Sequence, residues 1–119
     1  MRVLLVDDEV EFVSTLAERL AIRGIHVEWA TTGSDALKRV ESESFDLAIL
    51  DMKLPRIGGL ELKEKLHAIC PAMKFMFLTG YGSEKDFQAV SAQFGKDYYL
   101  VKPVDIEVLI EKMNAIVGP

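Results

Sequence analysis

Short apolar runs that stop at a charged or hydroxyl-bearing side chain, separated each time by a helical pattern, are what most restricts the fold of this chain. Val3-Leu4-Leu5-Val6 ends at Asp7-Asp8-Glu9, and Leu47-Ala48-Ile49-Leu50 ends at Asp51. Phe75-Met76-Phe77-Leu78 ends at Thr79-Gly80, and Tyr98-Tyr99-Leu100-Val101 ends at Lys102-Pro103. A short apolar run bounded by turn residues reads as a strand buried on both faces, as in a parallel sheet covered by helices. Between the runs, apolar residues recur at helical spacing: Phe12, Val13, Leu16, Ala17 and Leu20, then Ala36, Leu37 and Val40. Leu62, Leu66 and Ile69 mark a third helix, and Phe87, Val90 and Phe94 are expected to face inward from a fourth. Ile106, Leu109, Ile110, Met113 and Val117 are the expected buried face of a fifth. Gly24 and Gly95 stop helices, Pro71 ends the third, and Thr32-Gly33-Ser34 offers caps for the second.

His26-Val27-Glu28-Trp29-Ala30 alternates polar and apolar residues, so it reads as a half-exposed strand at a sheet edge. Five strands therefore alternate with five helices, in a single domain over residues 1–119. Right-handed crossovers, with the three most apolar strands in the middle, predict an α/β flavodoxin-like (βα)5 fold. It is doubly wound, with a five-stranded parallel sheet in the order 2-1-3-4-5. Ligands of such sheets bind beyond the strand ends where the order reverses. Asp7, Asp8 and Asp51 are then expected to converge on one crevice, with Thr79 and Lys102 at the next two strand ends.

Composition narrows the function. A formal charge of −5 argues against direct nucleic-acid binding by this domain, because neutralising phosphates needs clustered Lys and Arg. No apolar run approaches a membrane span, and the first strand meets two aspartates too early for a signal peptide. Cys70 is the only cysteine, so a disulfide framework is excluded, and a cytoplasmic location is expected. The chain closes one residue after Gly118, as a free-standing domain or one preceding a linker would.

Crowded carboxylates repel: two about 4 Å apart cost roughly 4 kcal/mol at an effective dielectric near 20. A bound cation or a raised pKa must offset that. With few ligands, all oxygen, Mg²⁺ that keeps several waters is the natural occupant, completed by a phosphate oxygen. Lys102 and Thr79 add a positive charge and a hydroxyl donor suited to a phosphoryl group. A carboxylate can itself be the nucleophile, as in aspartyl-phosphate intermediates. The set reads as Mg²⁺-assisted phosphoryl transfer onto an aspartate.

The chain resembles a response-regulator receiver domain over nearly its whole length. The matching residues are Val6-Asp7-Asp8-Glu9, Asp51 with Pro55 and Gly59, Thr79, and Tyr98-Tyr99-Leu100-Val101-Lys102-Pro103. The resemblance implies a signalling domain of two-component systems or phosphorelays rather than an enzyme proper. Asp51 matches the phosphoacceptor, charged by a sensor histidine kinase or a histidine phosphotransfer protein. Asp8 matches the main Mg²⁺ carboxylate, Asp7 its partner acting through water, and the Lys53 backbone carbonyl a further ligand. Lys102 matches the lysine that pairs with the acceptor and then with the phosphoryl oxygens, and the bond before Pro103 is expected to be cis. Thr79 and Tyr99 match a switch pair: the hydroxyl turns to the phosphoryl group and the ring follows inward. That change is expected to reshape the surface of the fourth helix, fifth strand and fifth helix, where a partner or a second copy in a homodimer would bind.

Some residues depart from the family pattern. Gly58 stands where many receivers have an aspartate, implying a more pliable loop, and Lys96 follows Gly95 where alanine is usual. Lys53 and Tyr81 hold two variable flanking positions and offer no group to orient a hydrolytic water, so a long-lived phosphorylated state is expected. Two other readings compete. A Mg²⁺-dependent phosphatase with an aspartyl nucleophile would carry Asp-x-Asp on its first strand, whereas Asp7 and Asp8 are adjacent. A flavodoxin-type cofactor binder would need a phosphate-cradling loop where Asp7-Asp8-Glu9 stands. His26, His67, Cys70, Met73 and Met76 read as structural, and Glu41, Glu43, Glu61, Glu64, Lys63 and Lys65 as solvated helix faces.

Overall fold

The computed structural model describes residues 1–80, 84–95 and 98–118. Its strands are β1 (Arg2–Val6), β2 (His26–Ala30), β3 (Leu47–Asp51), β4 (Lys74–Gly80) and β5 (Tyr99–Lys102). They alternate with α1 (Val10–Ile22), α2 (Gly33–Ser42), α3 (Gly59–Ile69), α4 (Glu84–Phe94) and α5 (Ile106–Val117). All strand pairs are parallel, in the order β2-β1-β3-β4-β5. The flavodoxin-like order expected from the sequence is the one observed. Central strands are shielded from water on both faces, which is why β3 is buried at every position while β2 stays half-exposed.

Side chains alternate across the sheet. Val3, Leu5, Leu47, Ile49, Met76 and Leu78 pack against α1 and α5 through Leu16, Leu20, Leu109 and Met113. Leu4, Val6, Ala48, Leu50, Phe75 and Phe77 point the other way, onto Val40 of α2, Leu62 and Leu66 of α3, and Val90 of α4. The same alternation sorts the polar strand ends. Asp7 continues the row of Val3 and Leu5, and Asp51 that of Leu47 and Ile49, whereas Thr79 continues the row of Phe75 and Phe77.

Several details differ from the sequence expectation. Asp51 is the last residue of β3 rather than the first beyond it, and β5 begins at Tyr99 and includes Lys102. Phe87 does not face inward: it is 41% exposed, its ring lying edge-on to Tyr99 at 5.3 Å. On the same helical face Val90 is fully buried and Phe94 half-buried, so the face is closed over there and left open at Phe87. Ile69 is likewise exposed, and Ile110 and Val117 are only half-buried. Two helix charges are not simply solvated: Glu43 pairs with Arg2 at 3.0 Å, and the Lys63 ammonium stands 5.0 Å from the Phe94 ring.

Candidate functional site

The β1 and β3 ends are adjacent because Val6 is in register with Leu50, which brings Asp7 beside Asp51. Gly80 is in register with Lys102, so the lysine rises from the neighbouring edge. Oxygens of Asp7, Asp8 and Asp51 all lie within 4.8 Å of one another. Asp7 and Asp51 are buried, at 1% and 5% exposure, and Asp8 is open to solvent. Backbone amides two residues on steady the buried pair. Glu9 N–H donates to Asp7 Oδ1 at 2.9 Å, and Lys53 N–H donates to Asp51 Oδ1 at 3.0 Å.

The Lys102 ammonium lies 2.6 Å from Asp7 Oδ2 as a close ion pair and donates a hydrogen bond to Glu9 Oε1 at 2.7 Å. Asp51 Oδ2 is farther, at 3.8 Å, and the Phe12 ring lies under the ammonium at 4.6 Å. Burial pushes the Asp7 carboxyl above its ordinary value; Lys102 and the Glu9 N–H pull it down, and the Asp51 charge adds to the rise. Burial also raises Asp51, opposed by the Lys53 N–H and Lys102 and reinforced by Asp8 and Glu9. For Lys102 burial acts downward, but hydrogen bonding to Asp7 and Glu9 and the nearby carboxylates outweigh it, so its pKa is raised. The cluster holds more negative charge than one lysine balances. It is a place where a divalent cation with oxygen ligands fits.

The loop after Asp51 is locked by close backbone packing. Gly59 N–H donates to Met52 O at 3.1 Å, and a Cβ on Gly59 would come within 2.8 Å of Asp51 O. Lys53 and Gly58 form an antiparallel bridge across this loop, and the Lys53 side chain is exposed. Gly58 itself has φ −77 and ψ 160, ordinary extended values, so its backbone does not require glycine. The Lys102-Pro103 peptide is cis, as the resemblance implies.

Thr79 is buried, and its hydroxyl donates to Gly80 O at 3.4 Å. The Tyr99 ring is already inside, at 5% exposure, and contacts the same hydroxyl. Burial raises the Tyr99 pKa, Thr79 lowers it, and Asp86 adds to the rise. Tyr81 and Lys96 lie outside the described residues. The strand ends bring Asp7, Asp8, Asp51 and Lys102 together and set Thr79 on the adjacent β4, while Glu9 and Phe12, partners of Lys102, were not among the expected site residues. The only local hint was a third acid directly after the Asp7-Asp8 pair.

Comparison with known proteins gives one family. Residues 3–114 match the response regulator receiver domain. The response regulator MprA of Mycobacterium avium is 33% identical over 98% of this chain and 50% of its own length. The chain thus spans about half the length of that curated relative. A CheY-like receiver domain protein from Methanospirillum hungatei superposes with a TM-score of 0.84 at 38% identity, over 96% of this chain and 90% of that one. A response regulator protein from Burkholderia pseudomallei, with a phosphorylated aspartic acid, calcium ion and citrate, has a TM-score of 0.82 at 33% identity. That match covers 96% of this chain and 68% of the other. No helix among the described residues is long and apolar enough to cross a membrane. With the fold, the strand-end cluster and the matched span in agreement, this chain belongs to the response-regulator receiver domains of two-component signalling.

Proposed function

We propose that Asp51 accepts a phosphoryl group from a phosphohistidine on a sensor histidine kinase or histidine phosphotransfer protein. An Asp51 Oδ attacks phosphorus, the N–P bond breaks, and the imidazole nitrogen leaves with the electron pair. The observation that carries this reading is the cluster itself: a buried carboxylate with a lysine 3.8 Å away and two more carboxylates within 4.8 Å. Asp8, Asp7, Asp51 and the Lys53 carbonyl are the groups that would hold Mg²⁺. The bound ion would supply positive charge to the phosphoryl oxygens. Lys102 orients and neutralises the incoming group, and the Lys53 N–H fixes the acceptor carboxylate. The phosphorylated aspartate and calcium ion of the Burkholderia relative support this chemistry by likeness.

The readout runs through Thr79. Its hydroxyl is shared with Gly80 O and the Tyr99 phenol, and a phosphoryl oxygen would compete for it. Withdrawing that contact changes how the buried ring is held, and with it the surface of α4, β5 and α5. Phe87, Val101 and Val108 expose apolar area on those elements, which suits a partner or a second copy. Lys53 lacks a group to orient a hydrolytic water, which favours a slowly decaying phosphoprotein. The test is incubation with acetyl phosphate and Mg²⁺, followed by intact mass and acid and base lability. One base-labile phosphoryl group is expected, and none in Asp51→Asn. Undiminished labelling of Asp51→Asn would remove Asp51 from this role.

A further inference from the structure

Glu9 is the N-cap of α1, yet its carboxylate makes no capping hydrogen bond. Two other polar N-caps cap their own helices: Thr32 accepts from the Asp35 N–H of α2, and Asp105 from the Glu107 and Val108 N–H groups of α5. The Glu9 side chain leaves its own helix and accepts a hydrogen bond from Lys102, 93 residues away in sequence. With Asp7 at 2.6 Å, Glu9 at 2.7 Å and the Phe12 ring at 4.6 Å, the ammonium is seated on the β1 side of the crevice. Asp51 is left at 3.8 Å, beyond hydrogen-bond distance.

We propose that Glu9 is a positioning residue that holds the Lys102 ammonium back from Asp51, so that an incoming phosphoryl group must take the lysine from it. The inference rests on Asp51 being the phosphoacceptor. The competition is winnable because the two holds differ in kind. The Glu9 side chain is 64% exposed, and an exposed carboxylate grips an ammonium only weakly. A phosphoryl group carries more charge and three acceptor oxygens inside the crevice. The lysine stem is long and flexible enough to swing between the two seats. Asp7 stays beside the ammonium in either seat, so Glu9 is the partner that must be given up. While Glu9 holds the lysine, the oxygens of the phosphoryl donor lack their cation. The hold therefore slows formation of the Asp51 Oδ–P bond as the donor's O–P or N–P bond breaks.

The test uses acetyl phosphate at saturating Mg²⁺ on wild type, Glu9→Gln, Glu9→Ser and, as a charge control, Glu11→Gln on the exposed first turn of α1. Asp51 phosphorylation is followed by intact mass. Removing an exposed competitor should accelerate phosphorylation about three- to five-fold in both Glu9 variants, with Glu11→Gln at the wild-type rate. Crystal structures of Glu9→Gln should place Lys102 Nζ within hydrogen-bond distance of Asp51. Glu9→Ser restores an ordinary cap, so its Tm should equal or exceed that of wild type. A rate gain accompanied by a lowered Tm in Glu9→Ser would mean a loosened fold and overturn the proposal. Equal rates in wild type and Glu9→Gln overturn it too, as does equal acceleration by Glu11→Gln. So does a loss of Mg²⁺ affinity in Glu9→Gln matching that of Asp8→Ala, which would make Glu9 a metal ligand. A wild-type chain that takes no phosphoryl group at Asp51 would instead overturn the phosphoacceptor reading, and the positioning role with it.

Discussion

Asp7 and Asp51 lie in the strand rows that face α1 and α5, whereas Thr79 and Tyr99 lie in the rows that face α2, α3 and α4. The two groups lie on one sheet, one to three strands apart, and alternation turns them to opposite faces. The first group is charged, and burial raises the pKa of both carboxyls. The second is neutral, and its phenol is counted among the core residues. Under the proposed function, a change in charge on one side would be read as a change in packing on the other. In that proposal Thr79 would be the junction, since it sits on β4 directly beside β3 and beside Tyr99.

The comparison breaks first if the Tyr99 ring is not truly part of the core. Tyr99→Ala should cost about 3 kcal/mol in urea unfolding, as other large-to-small changes at buried aromatic sites do. A loss below about 1 kcal/mol would match an exposed side chain and would return Tyr99 to the surface. On the charged side, packing is set by backbone instead. A Cβ on Gly59 meets Asp51 O at 2.8 Å and Met52 Cα at 3.0 Å, neither of which can turn aside. Gly59→Ala should therefore cost about 1–3 kcal/mol and shift the Asp51 amide signals in NMR spectra. Normal stability with unmoved signals would show that this loop yields.

The cost of burying the Asp51 carboxylate is the next largest effect. Asp51 has a folded pKa above its ordinary 3.8, so the folded chain binds that proton more tightly than the unfolded chain does. The resulting stability is present below 3.8 and is lost as pH rises through the raised value. Lys102 is raised from 10.5, so its contribution is complete below that value and fades only in alkali. At neutral pH without metal, Asp51→Asn should thus be more stable than wild type, by on the order of 1 kcal/mol once the Lys53 N–H and Lys102 have offset part of the cost of burying the carboxylate. The gap should close as pH falls toward 3.8 and also narrow when Mg²⁺ is added. Urea titrations across pH measure both, and a less stable Asp51→Asn at pH 7 would mean that burying the Asp51 charge carries no net cost.

The difference between the two sides also explains what could be read from the chain. Asp7, Asp51, Thr79 and Lys102 were legible because each terminates an apolar run, and strand ends are where a parallel sheet presents polar groups. The order of the sheet was legible because only His26–Ala30 alternates in polarity. Phe87 was misread because spacing reports which residues share a face of α4, not how far along the helix that face is closed over, as it is at Val90. Glu9 was missed because its partner is 93 residues distant, and no local pattern encodes such a contact. The buried Tyr99 ring was not legible either: a tyrosine in a short edge strand can turn inward or outward at similar cost, and here it joins the core on the α2, α3 and α4 side.

The smallest effect concerns Gly58, next to the glycine that cannot change. Its φ of −77 is open to any residue, and a Cβ there would have only Met52 O near it, at 3.7 Å. As N-cap of α3 it supplies no side-chain acceptor to the first-turn N–H groups. Glycine at an N-cap is only a few tenths of a kcal/mol worse than aspartate, so Gly58→Asp should raise Tm by about 1–2 °C. The new carboxylate would also add negative charge to the loop that leaves Asp51, and that repulsion works against the cap. Mg²⁺ separates the two contributions. If the cap dominates, the Tm gain is the same with and without the ion. If repulsion dominates, Gly58→Asp lowers Tm in metal-free buffer and regains it when Mg²⁺ is added. A loss of Tm that Mg²⁺ leaves untouched would instead mean that the backbone at position 58 needs glycine after all, which its dihedral angles argue against.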